Sequence, residues 1–124
     1  MDIWDNQKRL VSRVNFMKAR IMIGRQRGRQ VRLRAASFSG VKTIGLFWVR
    51  EKVSCRFDTE MEISGGRAKL ILVRQDKVTT LLQESGNEAK ILILEKGFSR
   101  LRIVGEQADL KLNLVMNKGV TILD

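Results

Sequence analysis

The sequence predicts an all-β protein: an antiparallel sandwich or jelly roll of seven or eight short strands, with an N-terminal amphipathic helix and a basic arm. Beyond about residue 40, apolar residues alternate with polar ones, which is the period of a strand with one buried face. Polar turns separate these stretches at close spacing, and no helical pattern lies between them. We therefore expect a helix and basic arm at 1–40 and a β-sandwich domain at 41–124.

The first predicted element is a helix over residues 3–23. Apolar residues recur at the spacing of one helix face, at Leu10, Val14, Met17 and Ile21. Gly24 and Gly28 follow this stripe, and glycine is the usual residue just past a helix C-terminus.

The basic arm follows, and it holds most of the positive charge. Of the net charge of +11, residues 1–34 contribute ten Lys and Arg against two acids, whereas residues 35–124 are nearly balanced. Residues 24–34 read GRQRGRQVRLR. Guanidinium groups bind phosphate and other oxyanions through two parallel hydrogen bonds. The polyanion-binding candidates are Arg25, Arg27, Arg29, Arg32 and Arg34. We expect an exposed, flexible arm up to residue 30, then a strand in which Val31 and Leu33 point inward.

The clearest strand covers Val53–Ile63, where eleven residues alternate without an error. Ser64-Gly65-Gly66-Arg67 comes next, and Gly-Gly suits the two central positions of a tight hairpin. The resulting register would place Ile63 opposite Ala68, both apolar, and Glu62 opposite Lys69, an acid facing a base. The sequence therefore predicts a hairpin at Gly65-Gly66.

Further strands are predicted on both sides of this hairpin, each a short apolar or alternating run next to a polar turn. They cover residues 43–49, 69–73, 78–82, 90–94, 98–104 and 110–114.

Residues 73–114 resemble the later strands of small bacterial β-sandwich modules, namely carbohydrate-binding-like and prepeptidase-C-terminal-like domains. The resemblance is carried by a polar turn with an aspartate, a glycine–aromatic pair, and a strand ending in glycine. The matching residues are Asp76, Gly97, Phe98, Leu101, Ile103 and Gly105. The resemblance implies a β-sandwich fold, and no ligand residue is implied by it.

Composition excludes most enzyme chemistry. The chain has no histidine, which removes the common nucleophile–base systems and imidazole metal sites, and it has no tyrosine. Cys55 lies on the apolar face of its strand, where we interpret it as a small buried hydrophobe. Asp58, Glu60 and Glu62 share the other face, either as a calcium site or, as we expect, as a solvated row paired with Lys69. We predict no catalytic residue, no metal and no cofactor.

Three aromatic residues allow two interpretations. Phe47, Trp48 and Phe98 can form a platform for sugar rings, or they can pack in the core. Each lies in or beside an apolar strand run, so we expect core packing.

The sequence thus predicts a non-enzymatic interaction or assembly module that docks a partner protein or another copy of itself. The alternative is a nucleic-acid-binding protein that uses the arginines of residues 24–34, and an anionic membrane surface is a third option. No small-molecule substrate is indicated. No signal peptide or transmembrane segment is recognised, so we expect a cytoplasmic location.

Overall fold

The computed structural model describes residues 4, 6–12 and 16–118. One short helix and seven strands follow in chain order, and every strand pair is antiparallel. The elements are α1 (Gln7–Val11), β1 (Phe16–Lys18), β2 (Ile21–Arg27), β3 (Gln30–Val49), β4 (Val53–Arg74), β5 (Lys77–Leu82), β6 (Gly86–Leu94) and β7 (Gly97–Lys118). The predicted all-β antiparallel class is confirmed.

The helix predicted over residues 3–23 is wrong. Among the described residues, α-helix covers only Gln7–Val11, and β1 and β2 occupy the second half of the predicted span. The cause is a hairpin that the helical spacing concealed: β2 pairs with residues 30–36 of β3 around a turn at Gly28, whose φ is +56°. Residues 21–36 therefore form part of the sheet instead of a flexible arm. The predicted domain boundary at residue 40 falls inside β3.

Three long strands, β3, β4 and β7, bend at the same level of the sheet. The register of β3 with β7 shifts between Ala35 and Gly40, and the register of β4 with β7 shifts between Ile63 and Arg67. Each bend contains a residue with positive φ, namely Ser37 on β3, Gly66 on β4 and Gln107 on β7. Because bulges of this kind bend a strand sharply, the single sheet folds back on itself.

The hairpin predicted at Gly65-Gly66 is one of these bulges. β4 continues from Val53 to Arg74 and stays paired with β7 on both sides of the two glycines. Glu62 lies opposite Lys111 of β7, not opposite Lys69. β7 therefore supplies the apolar and the basic partner that the predicted hairpin would have supplied, with Leu110 opposite Ile63 and Lys111 opposite Glu62.

Folding at the bend produces two layers that share β3, β7 and β4 as their central strands. The first layer has the order β2, β3 (30–36), β7 (108–118), β4 (53–63) and β6. The second layer has the order β1, β3 (39–49), β7 (97–105), β4 (67–74) and β5.

The core lies between the layers. Val31 and Leu33 of the first layer are 2% and 3% exposed, which confirms that they point inward. Across the core, the rings of Phe47 and Phe57 have centroids 6.2 Å apart, so the second layer contacts the first directly. Cys55 is 2% exposed in this core, and its interpretation as a small buried hydrophobe is confirmed.

A second apolar cluster covers part of the outer face of the second layer. Trp4 and Leu10 of the N-terminal segment pack on Val41, Ile71, Val73 and Val104 of the sheet. The C-terminal end of α1 is held by two arginines of β7: Arg102 donates to the carbonyls of Leu10 and Ser12, and Arg100 donates to those of Val11 and Ser12. The second layer is therefore buried on both faces where α1 covers it.

Candidate functional site

The five candidate arginines lie on and around one β-hairpin. Arg25 of β2 is directly opposite Arg32 of β3, and Arg34 is opposite Ile23. Alternate residues of a strand share a face, so Arg27 lies on the same side as Arg25. Arg29 occupies the turn, where its carbonyl accepts a hydrogen bond of 2.8 Å from the backbone amide of Met116. All five arginines are exposed.

The outer surface of the first layer extends this positive charge onto β7. Arg34 lies opposite Lys111, which is also exposed, and Arg32 lies opposite Asn113. We name this surface the basic face. Its cationic residues are Arg25, Arg27, Arg32, Arg34 and Lys111. Within residues 4, 6–12 and 16–118, none of these five side chains forms an ion pair.

A groove of about 480 Å³ runs along the basic face. On one side it is lined by Ile23, Arg25, Arg32 and Arg34, and on the other by Glu60 and Glu62 of β4, with Lys111 and Asn113 between them. The two acids are separated from the arginine strand β3 by β7, a distance of about 10 Å at ordinary strand spacing.

Asp58, Glu60 and Glu62 of β4 are not paired with Lys69 as the sequence analysis expected. Lys69, their predicted partner, is buried in the second layer and lies over the ring of Trp4, with its Nζ 4.6 Å from the ring centroid. Asp58 instead accepts hydrogen bonds from Arg56 at 2.9 Å and Asn117 at 3.2 Å. In the part of the chain that the structure describes, no group of acids or cysteine has the arrangement of a metal site.

Two aromatic rings occupy the outer face of the second layer. Trp48 is 49% exposed and Phe98 is 65% exposed, so the prediction that they pack in the core is wrong for both. The two residues are directly opposite each other on β3 and β7. Their ring centroids are 4.7 Å apart and the ring planes are inclined at 67°, an edge-to-face contact. Phe47, by contrast, turns inward to Phe57.

Leu46 completes this apolar surface, and its backbone is held in an unusual way. Leu46 is 54% exposed and lies two residues before Trp48 on β3. The side-chain amide of Gln26 accepts a hydrogen bond of 2.9 Å from the Leu46 N–H and donates one of 2.8 Å to the Leu46 carbonyl. This amide satisfies backbone groups of the strand much as a neighbouring strand would. We name Leu46, Trp48 and Phe98 the aromatic surface.

The ends of β3 and β7 place charged groups next to the aromatic rings. Val49 lies opposite Gly97, so the turn after β3 and the turn before β7 meet at the same end of the second layer. Lys52 and Glu95 join these turns through an ion pair of 3.6 Å, with 61% and 71% of their side chains exposed.

Arg74 fixes the position of Phe98. Its guanidinium donates to the hydroxyl of Ser99 and to the carbonyl of Glu95, on the two sides of Phe98. Burial lowers the pKa of Arg74, while Cys55 and Glu95 act in the opposite direction. Through these two hydrogen bonds, the backbone that carries Phe98 is anchored from both directions.

The sequence allows a sugar platform for these aromatic residues but favours core packing, although one signal argues against core packing for all of them. Phe47 and Trp48 are consecutive residues of a strand, so their side chains point to opposite faces, and only one of them can enter the core between the layers.

No helix among the described residues has the length and apolar character needed to cross a bilayer.

Comparisons with known proteins give a likeness of fold. No family model matches the sequence, and no curated protein matches it. Among solved structures, the chain is similar to a variant of a family 29 carbohydrate-binding module, with 14% identity and a TM-score of 0.42 over 84% of this chain and 74% of that one. Variants of the same module complexed with mannohexaose and with cellulohexaose each have a TM-score of 0.37, at 14% and 13% identity, over 83% of this chain and 79% of theirs.

The resemblance to carbohydrate-binding-like β-sandwich modules is confirmed by these comparisons, and no ligand residue is transferred from them. The sequence pointed to a partner protein, self-association, nucleic acid or an anionic membrane, and to no small-molecule substrate. The similar structures do not agree with this expectation: they are carbohydrate-binding modules, and two of them are complexed with hexasaccharides.

Proposed function

We propose that this chain is a non-catalytic module that binds carbohydrate, and that sugar rings bind at the aromatic surface. The observation that carries the proposal is the exposed pair Trp48 and Phe98 on the outer face of the second layer. Elsewhere on this face, Trp4 and Leu10 cover the apolar side chains of the sheet. Trp48 and Phe98 lie beyond that cover and, together with exposed Leu46, form the aromatic surface. Contiguous exposed apolar groups of this kind mark binding sites on folded proteins.

Aromatic rings suit sugars because one face of a pyranose ring presents several C–H groups. These carry a small positive charge and are attracted to the negative face of an aromatic ring. The inclination of 67° between Trp48 and Phe98 forms a corner, in which a single pyranose can lie against the face of one ring and the edge of the other. Contact with two rings at once excludes more water from the sugar than contact with one flat surface would.

The hydroxyl groups of a sugar need hydrogen-bonding partners at the rim of such a surface. Lys52 and Glu95 supply a cationic donor and an anionic acceptor at the end of the strands that carry the rings. Because both side chains are more than half exposed, exchanging their mutual contact for contacts with hydroxyls costs little. The aromatic surface therefore combines stacking with polar groups of both signs.

We expect Trp48→Ala to weaken binding of a neutral polysaccharide at least tenfold. Loss of a central aromatic anchor typically costs about 2 kcal/mol of binding free energy, and every 1.4 kcal/mol corresponds to a factor of about ten. Affinity electrophoresis in native gels containing soluble cellulose derivatives or glucomannan measures this change directly. Phe98→Ala should have an effect in the same direction.

The matched control is Ile91→Ala with Ile93→Ala, which removes apolar surface that is 69% and 58% exposed on β6, outside the aromatic surface. This double variant should migrate like the wild type in every gel. Failure of the wild type to be retarded by any polysaccharide, or equal retardation of the wild type and Trp48→Ala, would refute the proposal.

A further inference from the structure

The basic face has no role in the sugar contacts proposed for the aromatic surface, and it carries a concentration of charge that the fold does not need. Arg25 and Arg32 are directly opposite each other on neighbouring strands. Side chains in such positions have Cβ atoms about 5 Å apart, and like charges there are mutually destabilising. No carboxylate of a described residue forms an ion pair with either guanidinium. An anion placed between them would relieve this repulsion.

The spacing of the cations fits a chain that carries repeated charges. Arg25 and Arg27 are alternate residues of β2, about 7 Å apart, and Arg32 and Arg34 repeat that spacing on β3. Lys111 extends the second row onto β7. The result is a grid of positive groups that follows the strands, along which an extended polymer can be bound at several points.

The groove favours a single sugar chain over a nucleic-acid duplex. Ile23 is 64% exposed at the groove and offers an apolar contact for the C–H face of a sugar ring. Glu60 and Glu62 line the opposite side, about 10 Å from the arginine strand at ordinary sheet spacing. The major groove of a DNA duplex alone is about 12 Å wide, so a duplex centred here would bring phosphates against these carboxylates. A narrow chain with its anionic groups on the arginine side avoids them.

From this arrangement we infer that the basic face binds an acidic polysaccharide, a polymer whose sugar rings carry sulfate or carboxylate groups; this inference rests on the proposed carbohydrate-binding function. Guanidinium groups bind both oxyanions through paired hydrogen bonds. Gln26, between Arg25 and Arg27 on β2, points away from the basic face and is hydrogen-bonded to the backbone of Leu46. The strand that carries the basic face is therefore joined through Gln26 to the segment of β3 that carries Leu46 and Trp48.

The test compares two double variants that remove equal charge. Arg25→Ser with Arg32→Ser removes the opposed pair of the basic face, whereas Lys8→Ser with Lys77→Ser removes two exposed cations from α1 and β5. Each purified protein is titrated with dextran sulfate, polygalacturonate, neutral dextran and a DNA duplex in a buffer containing about 150 mM salt, where weak non-specific phosphate contacts are largely lost. Thermal melts establish that both variants are folded.

We expect the arginine double variant to bind dextran sulfate or polygalacturonate at least tenfold more weakly than the wild type, and the lysine double variant to stay within twofold. The two acidic polymers distinguish sulfate from carboxylate as the recognised group. Equal losses in both double variants, no binding of either acidic polymer, or binding of the DNA duplex as tight as that of the acidic polymers would each overturn the inference.

Failure of this inference and failure of the proposed function are separable. Trp48→Ala is measured on neutral polysaccharides, and the arginine double variant is measured on acidic ones. Retained neutral binding that depends on Trp48, together with no acidic binding, would overturn only the acidic ligand. Acidic binding that depends on the arginines, with no neutral binding and no effect of Trp48→Ala on any polymer, would overturn the aromatic surface as the sugar site.

Discussion

Replacing Gly66 with alanine is expected to destabilise the fold by more than 3 kcal/mol, because it combines a strained backbone conformation with a clash in the bend of β4. Gly66 has a φ of +64°, a conformation that costs a residue with a side chain about 1 kcal/mol. A Cβ atom there would lie 2.2 Å from the carbonyl oxygen of Gln107 and 2.3 Å from that of Glu106. Both are backbone atoms of β7, so the clash is relieved only by moving one central strand away from another. Urea unfolding followed by circular dichroism measures the loss.

Gly28→Ala is the matched control for this variant. Gly28 has a φ of +56°, close to that of Gly66, but apart from its two chain neighbours no described residue has an atom within 4 Å of a Cβ placed there. We expect this change to cost only about 1 kcal/mol, the contribution of backbone strain alone. Equal losses for the two variants would show that close packing of β4 on β7 at the bend does not contribute, contrary to the structure.

The segment of β4 that leads into Gly65-Gly66 shows where prediction from the sequence succeeded and where it failed. The alternation over Val53–Ile63 predicts a strand correctly, including the burial of Cys55, Phe57 and Met61. The predicted hairpin fails because Gly-Gly suits a bulge as well as a turn. The pairing of Glu62 with a base and of Ile63 with an apolar residue does not identify the partner strand either. Lys111 and Leu110 of β7 satisfy it as well as the predicted partners do.

The helix predicted at the N-terminus fails for a related reason. Short apolar runs fit the helical and strand periods almost equally well, and tertiary pairing decides between them. Ile21 and Ile23 belong to a strand that pairs with β3, and both remain substantially exposed at 37% and 64%. The pattern placed Ile21 on a buried helix face, whereas the structure uses it on the outer face of an edge strand.

Burial of the second layer could not be predicted from strand alternation. Residues 70–73 read LILV and are all buried, because the core covers one side of β4 and α1 with Trp4 covers the other. When a sequence places apolar residues on both faces of a strand, it does not indicate how far α1 and Trp4 extend over the outer face of the second layer. Trp48 and Phe98 lie just beyond that limit, and so their exposure appears only in the three-dimensional arrangement.

Replacing Arg102 with alanine is expected to destabilise the protein by about 3 kcal/mol, through loss of the contact between β7 and the end of α1. The side chain is fully buried, and its guanidinium donates hydrogen bonds to the carbonyls of Leu10 and Ser12. Hydrogen bonds from a charged donor contribute about 1.5–3 kcal/mol, and the buried acceptors left behind lose their partner. Desolvation of the cation offsets part of this gain, so the net loss is smaller than the sum.

Arg100→Ala, which removes a half-buried donor to the same helix end, should cost about 1 kcal/mol. A loss below 1 kcal/mol for Arg102→Ala would contradict the assigned role.

The pH dependence of stability tests the burial of this cation separately from its hydrogen bonds. Burial, with a smaller contribution from the neighbouring charge of Arg100, lowers the pKa of Arg102 from its ordinary value to about 10. Between the pKa of the folded protein and the higher pKa of the unfolded chain, the unfolded chain binds more protons than the folded protein, so stability rises with pH. Compared with Arg102→Met, which has no charge to lose, the wild type should gain about 1 kcal/mol in unfolding free energy between pH 9 and pH 11. All other titrating groups are common to both proteins, so their contributions cancel in the difference. A difference that stays constant over this range would mean that the guanidinium is solvated in the folded state, and that the N-terminal segment does not cover the second layer in solution.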